Sequence, residues 1–273
     1  MDSISANRLL HARLAPTYEI DEPHNREENK LKVRSRINDL TAKLGENLTI
    51  ADMGCGTGFI LELLPKRFTR LIGIDTTPEM LEILSSKLIP GLEILERSVY
   101  HTGLPDSSVD FVTGYSVLDH FESPLASIKE AARILKPGGC LYMDLIPNGN
   151  FWRALRDLTV DSGPYDQLVQ REIDEVVKHA EKMATRYGIS AEVLEAAEPH
   201  KETGDGFTTA VLTTWLELCR FRDISVNHEW FLGEGHVFHK QSPLEATTIS
   251  EHLQRLLPMS SLHFKYLWFA AYL

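Results

Sequence analysis

The chain has 273 residues, 43% hydrophobic and 25% charged, which is ordinary globular usage and long enough to bury a sizeable core without disulfide or metal staples. Its 28 basic and 39 acidic residues give a formal net charge of −11, a field that repels phosphate backbones and anionic membranes and so argues against nucleic acid or a membrane as partner. Three scattered cysteines (Cys55, Cys140 and Cys219) form no disulfide framework, and the first residues lack the basic and apolar regions of a signal peptide. No apolar run approaches the ~20 residues that span a bilayer. Together these predict a cytoplasmic protein whose oligomeric state is not readable from sequence.

Short apolar runs alternate with amphipathic segments, the pattern of parallel α/β architecture. A helical arm over residues 1–29 precedes a core at 30–146. Within that core, Leu48 to Met53 reads as a first strand, followed by a glycine-rich turn and a helix from about Gly58 to Leu64. Arg70 to Asp75 reads as a second strand, and Pro78 opens the next helix, where a missing amide proton costs nothing. Leu92–Leu95, Phe111–Gly114 and Cys140–Ile146 read as three further strands. The helix expected over Leu125–Leu135 is stopped by Lys136-Pro137-Gly138-Gly139. A charged helical insertion is expected at 147–207. The rest of the core, 208–273, should hold a helix at Thr208–Phe221, a strand at Ile224–Leu232, a helix at Pro243–Leu257 and a closing strand at Leu262–Leu273. The arm and the insertion would then cap the sheet.

The sharpest motif is Asp52-Met53-Gly54-Cys55-Gly56-Thr57-Gly58, directly after the first strand. Glycines there let the backbone bend tightly and let a ligand approach where a side chain would block it. The second strand ends at Asp75, which can accept both hydroxyls of a ribose. A dinucleotide fingerprint would place its third glycine at position 59, where this chain has Phe59. Asp52, two residues before the first glycine, is instead suited to a cationic amino group. S-adenosylmethionine combines an amino group, a carboxylate and a ribose without phosphate, and matches better than NAD.

From about Tyr18 to Asp144 the sequence resembles the class I S-adenosylmethionine-dependent methyltransferases, in their small-molecule branch. The glycine motif corresponds to Asp52, Gly54, Gly56 and Gly58, the ribose-binding acid to Asp75, and the fourth-strand motif to Asp110 through Phe121. Leu135-Lys136-Pro137-Gly138-Gly139 resembles the turn before the fifth strand. The resemblance implies a Rossmann-like seven-stranded, mostly parallel α/β sheet of order 3-2-1-4-5-7-6 with its last strand antiparallel, and here a helical cap. It implies S-adenosylmethionine as co-substrate and methyl transfer to an O, N or C nucleophile of a small molecule in specialised metabolism. One departure stands out: where the family carries an acid for the adenine amine, this chain reads Glu96-Arg97-Ser98-Val99, leaving adenine to Ser98 and Val99.

Further candidates join the donor set. Thr76 and Met80 follow Asp75; Tyr18 either closes over the donor or anchors the arm. Tyr115 either faces the sulfonium with its ring or packs beneath the site. His120 is a candidate general base or a packing residue. Asn148, beyond the fifth strand, either orients an acceptor or makes a turn with Gly149. Of the 11 histidines, His228, His236 and His239 lie near one another, but no cysteine or carboxylate spacing completes a metal site, so no metal is expected. Attack on the donor's aminocarboxypropyl chain, with release of methylthioadenosine, and noncatalytic donor sensing are the competing readings.

Overall fold

The structure is a computed structural model that describes every residue except 161–165 and 202–205, two stretches of the expected insertion that therefore lie outside the described residues. The arm forms α1 (Ser3–Leu14) and the single turn α2 (Tyr18–Asp21), and α3 (Glu27–Thr41) leads into the sheet. Then come β1 (Leu48–Met53), β2 (Phe68–Asp75), α4 (Pro78–Ser86), β3 (Leu92–Glu96), β4 (Val109–Tyr115), α5 (Pro124–Ile134) and β5 (Leu135–Pro147). Three helices follow, α6 (Gly149–Val160), α7 (Gln167–Tyr187) and α8 (Ala191–Ala197), and then α9 (Thr209–Leu218). The chain ends through β6 (Arg222–Phe231), α10 (Glu234–Lys240), α11 (Pro243–Arg255) and β7 (Phe264–Tyr272).

The sheet has seven strands in the order β3-β2-β1-β4-β5-β7-β6, and β7 runs antiparallel to both neighbours. This is the expected arrangement. Alternate residues of β1 divide between two apolar layers: Ala51 and Met53 pack with Ile128 and Ala131 of α5 and Leu212 and Leu216 of α9. Leu48 and Ile50 pack with Val33 and Ile37 of α3. A strand buried on both faces must be apolar on both, and that leaves Asp52 as an exception in need of a reason.

Helix ends follow local chemistry. The Asp166 side chain accepts from the Leu168 N–H at 2.9 Å to start α7, and Gly188, at φ 66°, ends it in the left-handed conformation. Ser242 caps α11 through the Glu245 N–H, while the Glu245 carboxylate receives the Ser242 hydroxyl, a reciprocal capping pair. Two expectations fail locally. No α-helix spans Gly58–Leu64; the segment is turns and a 3-10 turn at Leu61–Leu63, because Gly58 sits at φ 95° and Pro65 closes the short stretch. Helix α5 passes directly into β5 at Leu135, five residues before the expected strand start at Cys140, since Val109 of β4 already pairs with Leu135.

A buried charge network fixes α3 to the sheet. Arg36 holds Asp144 of β5 at 2.6 Å and Glu229 of β6 at 3.1 Å, and its guanidinium lies 4.0 Å from the Trp268 ring centroid on β7. Burial and the charge of Glu229 push the Asp144 carboxyl up to about 6, while Arg36 opposes them. The network places Asn29 of α3 over the end of β4.

Candidate active site

A cavity opens at the carboxyl ends of β1, β2, β3 and β4, the place where open parallel sheets bind ligands. Gly54, Gly56, Asp75, Thr76, Ser98 and Val99 line its floor, and Met80, Tyr115, His120 and Tyr18 complete most of its wall. Ten of the sequence-derived candidates thus converge. At Gly56 a Cβ would meet no heavy atom within 4 Å, so the open space there faces the cavity; its φ of 50° also favours glycine. Gly54, on the cavity floor, and Gly58, outside it, are also fixed by packing: a Cβ would fall 2.2 Å from Val117 and 2.5 Å from Leu84.

Both oxygens of Asp75 are held by backbone donors, the Gly56 N–H at 3.0 Å and the Thr77 N–H at 2.8 Å. Each oxygen keeps a second lone pair, which is what two ribose hydroxyls require. Asp52 is 2% exposed, and its Oδ1 is buried with no partner. Burial first, and then the charge of Asp75, push its carboxyl up to about 8. Asp52 borders a smaller adjoining cavity shared with Tyr18, His24, Phe59 and Tyr115, so a ligand ammonium there would meet a carboxylate inside an aromatic wall.

That wall is tightly built. Phe59 and Tyr115 rings lie 4.5 Å apart, His24 stands 5.1 Å from Phe59, and Tyr18 stands 5.8 Å from His24. Burial pushes His24 down to about 4, so near neutral pH its ring is uncharged and does not repel a sulfonium. The Tyr115 hydroxyl accepts from Asn29 Nδ2 at 2.8 Å, so its contribution is the ring face rather than a mobile proton. Burial holds that phenol far above its ordinary range. Ser98 Oγ accepts from the Tyr100 N–H at 3.2 Å and keeps its hydroxyl proton for a ligand.

His120 ends a 3-10 turn, Leu118–His120, with Nδ1 at 3.1 Å from the Ala197 carbonyl. A carbonyl can only accept, so Nδ1 carries the hydrogen and the Nε2 lone pair is free. Its ring meets that of His11 edge-on at 5.0 Å. His11, together with Ile4 and Asn7, brings α1 over the cavity. Sequence reasoning passed over these three, although their spacing marks one helix face. Burial, and then the neighbouring His120, lower His11 to about 4.

Asn148 is a correction. It lies outside both cavities, 1% exposed, and its amide donates to the Ser261 and Phe264 carbonyls at 2.8 and 2.7 Å, while its Oδ1 accepts from the Asn150 N–H. Those bonds join the end of β5 to the start of β7 and bury the side chain away from the cavities. His228 hydrogen-bonds Ser261, and His236 and His239 lie in a separate surface cavity. Among the described residues, the histidine and carboxylate cluster close enough to hold a cation is another one, Asp119, His120 and Glu198, whose ligating atoms lie within 4.8 Å of one another. Glu198 already receives the Lys201 ammonium at 2.9 Å.

Residues 51–143 match the family model described as a methyltransferase domain. Over that stretch, about a third of the chain, it is similar to S-adenosylmethionine-dependent methyltransferases, and the strand order of its sheet is the one that resemblance implies. Among similar curated proteins, one from Mycolicibacterium smegmatis named a probable S-adenosylmethionine-dependent methyltransferase is 26% identical over 131 residues, 48% of this chain and 50% of that protein. A thiol S-methyltransferase of Rattus norvegicus is 29% identical over 159 residues, 56% of this chain and 60% of that one. The chain thus spans about half the length of these relatives. A solved S-adenosylmethionine-dependent methyltransferase from Archaeoglobus fulgidus shares the fold at TM-score 0.54 and 16% identity, covering 89% of this chain and 94% of that one. The methyltransferase core coincides with β1 through β5, and α1, α6, α7 and α8 lie outside the matched stretch.

Proposed function

We propose that this chain transfers the methyl group of S-adenosylmethionine to an O, N or C nucleophile of a small molecule. One observation carries the reading: Asp75, held for hydrogen bonding, lines the donor cavity, while Asp52, with an unpartnered buried oxygen on the neighbouring strand, borders the cavity adjoining it through Gly54, Gly56, Tyr18 and Tyr115. Those are the partners of an amino-acid ammonium and a ribose. Ser98 and Val99 flank the adenine side, and Tyr115 and Tyr18 flank the sulfonium side.

The sulfonium supplies an already activated methyl group. The protein's work is then alignment and exclusion of water. An acceptor lone pair forms the new bond to the methyl carbon, the sulfur–carbon pair stays on sulfur, and the proton released by the acceptor passes to Nε2 of His120. Residues 1–29 and 147–207 form, on this reading, the cover and the acceptor-selecting part, with 30–146 and 208–273 as the core. Three buried free cysteines support a reducing, cytoplasmic setting. Among the described residues, no helix is long and apolar enough to cross a membrane.

Chromatography of incubations with and without acceptors tests the reading. S-adenosylhomocysteine should appear only with an acceptor, and donor alone should turn over negligibly. Enzyme-dependent methylthioadenosine from donor alone would overturn methyl transfer in favour of attack on the aminocarboxypropyl chain. Donor binding without any product across a broad acceptor panel would favour a sensing role.

A further inference from the structure

Sharing Ser116 with the donor cavity lies a second cavity of about 260 Å³, whose wall includes Glu22, Asp119, Lys201, Lys265, Trp230 and Tyr266. Its two lysines are already committed. Lys201 donates to Glu198 at 2.9 Å, and Lys265 pairs with Glu172. Asp119 is 3% exposed, and its Oδ1 is buried with no hydrogen-bond partner. Among the described residues, the partner Glu22 has within 4 Å is the imidazole of His24 at 3.7 Å, which is beyond a hydrogen bond, while the Lys201 charge acts on it from further away.

The chemistry of the wall is therefore lopsided. Each lysine is bonded to its own glutamate, and Lys201 also acts at longer range on Asp119 and Glu22, so four carboxylates answer two ammoniums and Asp119 Oδ1 stays without a donor. A buried carboxylate oxygen left unpaired costs the full desolvation of that group, so an occupant that donates hydrogen bonds and carries positive charge is favoured. An anion would meet a wall with more carboxylates than ammoniums, and a neutral alcohol would satisfy one oxygen without cancelling charge. The rings of Trp230 and Tyr266 provide apolar surface for the carbon skeleton of such an occupant.

We propose that this cavity is the acceptor site and that it takes a small molecule with a protonated amine, held by Asp119 and Glu22, whose nitrogen receives the methyl group. The proposal rests on the methyl-transfer reading above and names its substrate class. His120 stands in the same turn as Asp119, with a ring nitrogen within 4.8 Å of the Asp119 carboxylate. The ammonium gives one proton to His120, and the freed nitrogen pair forms the bond to the methyl carbon. The sulfur–carbon bond breaks with its pair remaining on sulfur. The products are a methylated ammonium, a neutral thioether and a protonated His120 that returns its proton to solvent.

The test is calorimetric titration of the full chain saturated with S-adenosylhomocysteine, in EDTA-containing buffer, with three probes of similar size: 2-phenylethylamine, 2-phenylethanol and phenylacetate. The amine should bind at least tenfold more tightly than the alcohol, and phenylacetate most weakly. Asp119→Asn, nearly isosteric, should abolish the preference for the amine while S-adenosylhomocysteine affinity and the circular dichroism spectrum stay as in the parent; Glu22→Gln should reduce it less. Equal or tighter binding of the alcohol or the carboxylate, no detectable amine binding, or an amine preference that survives Asp119→Asn overturns the proposal. Failure to bind S-adenosylhomocysteine at all overturns instead the methyltransferase reading beneath it.

Discussion

Asp52 and Asp75, on the adjacent parallel strands β1 and β2, face the same region with opposite states of satisfaction. Asp75 receives two backbone N–H groups, whereas Asp52 Oδ1 receives none and its carboxyl rises to about 8, through burial and then the charge of Asp75. The free protein thus stores a proton on Asp52 at neutral pH. A ligand ammonium that binds there must displace it.

Donor-product affinity should accordingly fall by up to tenfold for each pH unit below about 8, with close to one proton released per S-adenosylhomocysteine bound near pH 7. At more alkaline pH the ligand's own ammonium loses its charge and affinity should fall again. Calorimetry in two buffers of different ionisation enthalpy measures the proton directly. Buffer-independent heats at pH 7 would remove Asp52 from the amine site.

The same proton has a stability consequence. Asp52 is raised in the folded state from its ordinary value of 3.8, so its contribution to stability is fully present below that value and is lost as pH rises toward about 8. Asp52→Asn should therefore raise the melting temperature of the ligand-free protein, and by more at pH 8 than at pH 5, while weakening S-adenosylhomocysteine binding. An Asn variant that melts below the parent at pH 8 contradicts this.

Asp75→Asn should keep an oxygen for one backbone donor and lose the charge that strengthens the hydroxyl contacts. A hydrogen bond to a charged group contributes about 1.5–3 kcal/mol, so donor-product affinity should drop roughly ten- to a hundredfold. Unchanged affinity in a folded variant would move the ribose elsewhere.

Much of this was legible because it is local. Glycines, the strand-terminal acids and the proline-initiated helices signal themselves within a few residues, and the apolar runs set the sheet order through the family they resemble. The segment after Gly58 misled because its apolar residues suit a helix, yet a positive φ and Pro65 leave no room for one. The roles of Asn7, His11, Asp119 and Lys201 were not legible. They arise where the arm and the segment around α8 fold back onto β4, and sequence distance hides such contacts: His120 meets the carbonyl of Ala197, 77 positions away.

Asn148 illustrates the opposite error, a polar residue beside a site that belongs to the frame. Asn148→Ala should strand two buried carbonyls, those of Ser261 and Phe264, at a cost of about 1–3 kcal/mol. Chemical denaturation should show that loss with S-adenosylhomocysteine affinity unchanged. A normal denaturation midpoint with impaired turnover would restore an acceptor role.

The arm over the donor cavity is held by apolar contacts rather than by the ligand alone. Ala6, Leu10 and Leu14 of α1 are buried with Met80 of α4 and with Leu194 and Ala197 of α8, while His11 and Tyr18 reach the cavity. Covers of this kind exclude water during transfer, and their opening sets the release of product. If α1 and Tyr18 form such a cover, deleting residues 1–20 should speed S-adenosylhomocysteine dissociation at least tenfold. That deletion also exposes the apolar faces of α4 and α8, so the double variant His11→Ala, Tyr18→Ala, which spares Leu10 and Leu14, gives the cleaner measurement. Stopped-flow dissociation from this variant, with circular dichroism unchanged, should show the same direction at smaller size. A parental rate in both proteins would make the arm an anchor for α8 and nothing more.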